Sequence, residues 1–223
     1  MQNLLKLFLL CFTFIACGQT PKQSGNSNSQ PKVIISEFKK GDKMDNKEFW
    51  KIINYSLTKS QQNSSLQDKM IIEKLATYSP EQIIDFEIIL RQTINQADDF
   101  KVMAVEKIIE GYVSDDPYLY FRCWLIGQGE NTFNETIKNP EFLAEIVNKQ
   151  TDTNFEGLLY VATEAYKQKT GKREEDETFP RDVAMEKDPK LDYDMGAPPT
   201  KGTDWTVEQL PNLYPKLWAK FHQ

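Results

Sequence analysis

The sequence predicts an all-α protein: a single multi-helix domain with a long C-terminal loop and arm, preceded by a signal peptide and a disordered tether. Three observations predict it. From Met44 onward apolar side chains recur at three- and four-residue spacing, the period of one helix face. Helix-start signatures precede those runs at Asp45-x-x-Glu48 and Ser79-x-x-Gln82. No stretch among them alternates apolar and polar residues as a half-buried strand would. At 223 residues such a chain can bury roughly 70% of the surface its unfolded form exposes, so one core suffices without disulfide staples.

Residues 1–16 carry one cation, Lys6, followed by an apolar run from Leu7 to Ala16. That run is about half the ~20 residues a membrane span needs, and it has the length of a signal-peptide core. Phe14-Ile15-Ala16-Cys17-Gly18 resembles a bacterial lipobox, with the small Ala16 where a signal peptidase cuts and Phe14 where Leu is usual. The resemblance implies lipid on Cys17, hence a membrane partner and a cell-envelope location. Gly18, in place of the Asp that retains lipoproteins in the inner membrane, implies the outer membrane facing the periplasm if the cell is Gram-negative.

Residues 17–43 form the lipidated cysteine and linker. From Gly18 to Lys32 there is no aliphatic or aromatic side chain, too little apolar surface to offset the entropy of ordering, so a flexible tether reaching ~20 Å is expected. Val33-Ile34-Ile35 and Phe38 make a short apolar patch before the domain. Of the three cysteines, Cys11 leaves with the signal peptide, Cys17 is acylated, and Cys123 is left as a buried core thiol.

The core domain, residues 44–171, reads as helices at about 45–58, 65–77, 80–96 and 98–112. A central helix follows, with Ser114-Asp115-Asp116 as cap acceptors, Pro117 at its first position and Gly127 and Gly129 as its stop. Further helices are expected at about 130–138, 140–148 and 153–170. Residues 172–223 form the extended loop and arm: a polar, proline-bearing loop to Asp204, then an amphipathic segment from Trp205 to Phe221.

The central helix is the most distinctive stretch. Between Tyr118 and Ile126 every residue except Arg122 is apolar or aromatic, so the helix has no face for water and belongs in the middle of the domain. A guanidinium buried there without a partner is costly. Two arrangements satisfy it. Arg122 pairs with an acid of a neighbouring helix, for which Glu106, Glu110, Glu156 and Glu164 are candidates; or Arg122, with Tyr118, Trp124 and Asp115 or Asp116, lines a pocket for a carboxylate or phosphate. Asp115 and Asp116 also suit a helix N-terminus without any further role.

This block, Asp115-Asp116 followed by Tyr120-Phe121-Arg122-x-Trp124-Leu125-Ile126-x-Gln128-Gly129, resembles the bacterial family known as domain of unknown function 4240. The resemblance extends to Phe49-Trp50, Asn139-Pro140-Glu141, Leu143-Ala144, Glu164-Ala165-Tyr166, Trp205 and Tyr214-Pro215-x-Leu217, covering about Met44 to Phe221. It implies the extent of the domain and the importance of the Arg122 helix, and no activity. The lipobox and tether are additions to the family pattern.

Composition narrows the function. With one histidine, His222, next to the C-terminus, an imidazole base or a multi-histidine metal site lacks its parts. A net charge of −6 with no Lys/Arg cluster argues against a nucleic-acid partner, since phosphate neutralisation carries that affinity. No phosphate loop or nucleophile elbow is present, and Asp192-x-Asp194-x-Gly196 lacks the later positions of a calcium loop. No catalytic residue, metal site or cofactor is therefore expected. The leading expectation is a non-enzymatic, membrane-tethered module that binds a protein or peptide at the cell envelope. The alternative is a small-molecule or anion pocket around Arg122, hydrolytic through Asp115 or Asp116.

Overall fold

The computed structural model describes residues 43–61, 63–193 and 195–222. The expected signal peptide and tether, with Cys17 and the Val33–Phe38 patch, lie outside them. Among the described residues the fold is all-α; the β contact there is an isolated parallel bridge between Asp99 and Lys201.

Helix α1, Asn46–Ser60, starts at Asp45, whose carboxylate accepts the Glu48 N–H at 2.8 Å. The Glu48 side chain turns inward, where it accepts hydrogen bonds from the Tyr78 hydroxyl and from Lys51 Nζ at 3.2 Å. After α2, Ser64–Leu75, helix α3, Pro80–Ala97, opens with both bonds of the Ser79/Gln82 capping box in place. Helix α4, Phe100–Glu110, is capped by Asp99 and ends at Gly111, whose φ of 79° is the left-handed conformation that glycine adopts without a Cβ penalty.

The central helix α5 spans Asp115–Gly127. It begins two residues before the expected start, so Pro117 is its third residue. The missing N–H is harmless at that position too, because first-turn amides have no partner within the helix. Its buried residues include Tyr118, Leu119 and the whole run Phe121–Gly127, and it packs on α1, α3, α4 and α6, Gly129–Lys138. The centrality inferred from its all-round apolar sequence is what the structure shows.

Four segments differ from expectation. Residues 140–148 form a 3-10 turn, Pro140–Glu145, rather than an α-helix. The helix expected over 153–170 is shorter: a 3-10 turn, Glu156–Leu159, leads into α7, Val161–Thr170. The stretch 172–204 is no plain loop, since it contains α8, Pro180–Lys187, and a 3-10 turn, Pro189–Leu191. Its prolines misled the reading because Pro180 and Pro189 each open a helical turn, where proline is favoured, instead of marking extended chain. The final amphipathic segment is likewise divided into α9, Leu210–Leu213, and α10, Pro215–Phe221, because Pro215 can begin a helix but not continue one.

This C-terminal region completes the core. Phe179, Leu210 and Leu217 are fully buried. Arg91, itself buried on α3, bonds Glu87 at 2.6 Å and the Leu191 carbonyl at 2.8 Å and stacks over Tyr193. Lys201 Nζ donates to the carbonyls of Asn95 and Gln96 at 2.9 and 2.8 Å, closing the end of α3.

Candidate functional site

Arg122 is only 7% exposed. Its Nη1 lies 3.9 Å from Asp98 Oδ2, its Nε donates to the Tyr118 carbonyl at 3.4 Å, and its guanidinium stands 4.5 Å from the Tyr118 ring centroid. The acid that comes to it is thus Asp98, at the end of α3, and not one of the four glutamates. Three of those are otherwise engaged, and Glu106 is not. Glu156 accepts the Tyr160 hydroxyl at 3.2 Å, Glu164 pairs with Lys167 at 3.0 Å, Glu110 accepts the Thr153 hydroxyl, and Glu106 neighbours Arg122 without bonding it.

Tyr118 is the one sequence candidate that joins Arg122. Its hydroxyl accepts the Asp99 N–H at 3.1 Å and faces the carbonyls of Ala97 and Asp99, pinning the turn between α3 and α4. Asp115 and Asp116 are exposed in the first turn of α5, where their charge complements the helix dipole. Trp124 packs on Phe121 at 5.5 Å and lines a separate cleft of about 430 Å³ with Gln67, Gln128, Gln150 and Phe155. A second cleft, of about 490 Å³, lies under the arm between Asp99, Lys101, Trp205 and Tyr214.

A third cleft, of about 300 Å³, opens between the end of α4, the start of α5 and the loop before Glu156. Glu106, Glu110, Tyr112, Pro117, Tyr120 and Asp152 are among its lining residues, with Phe121, Thr153 and Asn154 completing them. Glu106 and Glu110 meet there because they are four residues apart on one helix face. Three of the nine carry carboxyl groups and none is cationic.

Glu106 gives the cleft its character. It is 0% exposed and neither carboxyl oxygen has a hydrogen-bond partner, an arrangement that costs a buried polar group on the order of 1–3 kcal/mol. Burial, reinforced by the Glu110 charge and only partly opposed by Arg122, pushes its pKa up to about 8, so the carboxyl holds its proton near neutral pH. Of the three clefts described, this one alone has such an unpartnered group on its wall.

Glu106 was legible in the sequence only as a neighbour for Arg122. The signal for more was its place four residues after Val102, on the buried side of α4, where a charged residue needs an explanation. Cys123 is buried, as expected, and desolvation pushes its thiol up to about 12, which suits packing and not nucleophilic attack. His222 stacks on Trp218 with ring centroids 3.9 Å apart. Among the described residues no three His, Cys, Asp or Glu side chains are grouped to hold a metal ion.

The architecture so far defines a small helical domain built around an arginine-bearing central helix, with an acidic cleft at one end of that helix. The family described as "Protein of unknown function (DUF4240)" matches residues 44–168, more than half of the chain, and the chain belongs to that family. No curated protein and no solved structure matches it.

Proposed function

We propose that this protein is a non-enzymatic binding module, carried at the bacterial cell envelope on lipid attached to Cys17, that receives a side chain of a protein or peptide partner in the Glu106 cleft. The observation that carries the binding role is a buried carboxyl without a hydrogen-bond partner on the wall of an open, tyrosine-lined cleft. Protein interiors rarely leave such a group unsatisfied unless something else comes to it. At about 300 Å³ the cleft suits one side chain and not a folded surface. The lipobox-like Phe14–Gly18 segment supports the anchor, and the polar linker after it supports a domain held just off the membrane. Arg122 bonds within the fold and lines none of the three clefts, so the cleft of Glu106 supports a ligand role better than the surroundings of Arg122 do.

Two measurements test this. Replacing Tyr112, which is exposed at the cleft, by a photoreactive residue in the membrane-borne chain is expected to give a defined adduct, while the same change at exposed Leu66 gives none; equal labelling at both positions would overturn the cleft. Replacing Cys17 by Ser is expected to move the protein from the membrane fraction to the soluble fraction, and a variant that stays in the membrane sinks the lipid anchor.

A further inference from the structure

Resting on that reading, we infer that the group the cleft receives is an alkylammonium, as carried by a lysine side chain, and that it pairs with Glu106 as Glu106 releases its proton. The lining holds Glu106, Glu110 and Asp152 with no cation among them, so the site is complementary in charge to a cation and repels an anion. Tyr112, Tyr120 and Phe121 are among its lining residues, and aromatic rings attract an ammonium through their quadrupoles. The protein cation whose charge acts on Glu106, Arg122, is already engaged by Asp98 and by the ring of Tyr118.

The choice of ammonium over guanidinium follows from how far the carboxyl is buried. A guanidinium fork pairs best with two oxygens of an open carboxylate. Glu110 already accepts the Thr153 hydroxyl, and Glu106, though both its oxygens are free, is 0% exposed, so it is reached more readily by a compact point charge on a thin stem than by a planar fork.

The proton follows from the surroundings of Glu106. Glu110 on its own helix raises its proton affinity and Arg122 on α5 lowers it; Tyr112 between α4 and α5, Tyr118 and Tyr120 on α5, Asp98 at the end of α3 and Asp152 on the loop are the other titratable groups nearby. An ammonium arriving beside the carboxyl stabilises its ionised form, and the proton leaves to solvent. The ammonium keeps its own protons, and charge balances as one cation enters and one proton departs.

The experiment is calorimetric titration of the full-length protein in detergent with acetyl-Gly-Lys-Gly-amide, its Nε-acetylated counterpart, acetyl-Gly-Arg-Gly-amide and n-butylammonium chloride. The lysine peptide is expected to bind with an affinity that rises about tenfold per pH unit between about pH 6 and pH 8, with about one proton released per ligand when buffers of different ionisation enthalpy are compared. The acetylated peptide should bind at least about tenfold more weakly, and Glu106→Gln should flatten the pH dependence. Stronger binding of the lysine peptide than of butylammonium identifies a peptide-borne lysine; equal binding identifies a free amine as the source and removes the peptide partner from the proposed function. An affinity independent of pH, equal binding of the acetylated or arginine peptide, or no binding of either ammonium overturns the inference. Proton release is read on the native protein, so the test stands even if a variant fails to fold. A Tyr112 adduct indifferent to butylammonium would sink the ligand class and leave the cleft; no adduct at all would sink the cleft reading itself.

Discussion

Asp98 Oδ2 stands 3.9 Å from Arg122 Nη1, and this contact joins the end of α3 to the middle of α5. Asp98 Oδ1 has no hydrogen-bond partner, so the arginine is the main compensation for a mostly buried carboxylate. Arg122→Met is expected to destabilise the protein by about 3 kcal/mol, because it strands that carboxylate and removes the stacking on Tyr118. Urea unfolding measures it. Arg122→Lys should recover only part of the loss, since a point charge does not reproduce the stacked planar group.

Arg122 also holds down the proton affinity of Glu106. In Arg122→Met the Glu106 carboxyl is expected to titrate at higher pH than in the parent protein, which carbon-13 NMR of the glutamate side chains would follow. A downward movement would contradict the electrostatic arrangement.

The pH dependence of stability has a definite sign. Glu106 binds its proton more tightly in the folded chain, with a pKa of about 8 against an ordinary value of 4.5. Between those two values the folded state holds a proton that the unfolded state has lost, so this residue's contribution to stability is full below the unfolded value and falls as pH rises through the folded one, by up to about 1.4 kcal/mol per pH unit. Glu106→Gln keeps the shape without the ionisation. Its unfolding free energy is expected to exceed that of the parent protein at about pH 8, with a flatter profile from about pH 5 upward.

Gly127 is a packing position. A Cβ there would lie 2.7 Å from Cδ1 of Phe155, a buried ring with little room to retreat. Gly127→Ala is expected to lower stability by about 1–3 kcal/mol despite the better helix propensity of alanine. The ring resonances of Phe155 should shift with it.

Ser79 and Gln82 close both bonds of a capping box at the start of α3. Ser79→Ala should cost about 1 kcal/mol, and thermal unfolding checks it. Glu48 offers the contrast. Its place after Asp45 matched the same signature, yet its side chain serves Tyr78 and Lys51, so Glu48→Ala should lose a tertiary contact and not merely a cap. A double-mutant cycle with Tyr78→Phe separates the two.

Much of the fold was legible along the chain. Apolar periodicity located α1 to α6, Ser79 and Asp99 begin helices with their own side chains, and the lack of a polar face placed α5 at the centre. These are local properties: a cap is set by residues a turn apart, and a helix face by spacing. The prolines of the C-terminal region resisted reading because the same residue starts a helical turn or marks a loop, and burial of Phe179 and Leu191 decides between them. At Arg122 the sequence alone determined that a buried guanidinium must find compensation. Only the tertiary structure decided that Asp98 and the Tyr118 ring provide it, and that Glu106 is left unpartnered beside a cleft. Which acid meets which base depends on how separate helices cross, and no spacing within one helix encodes that.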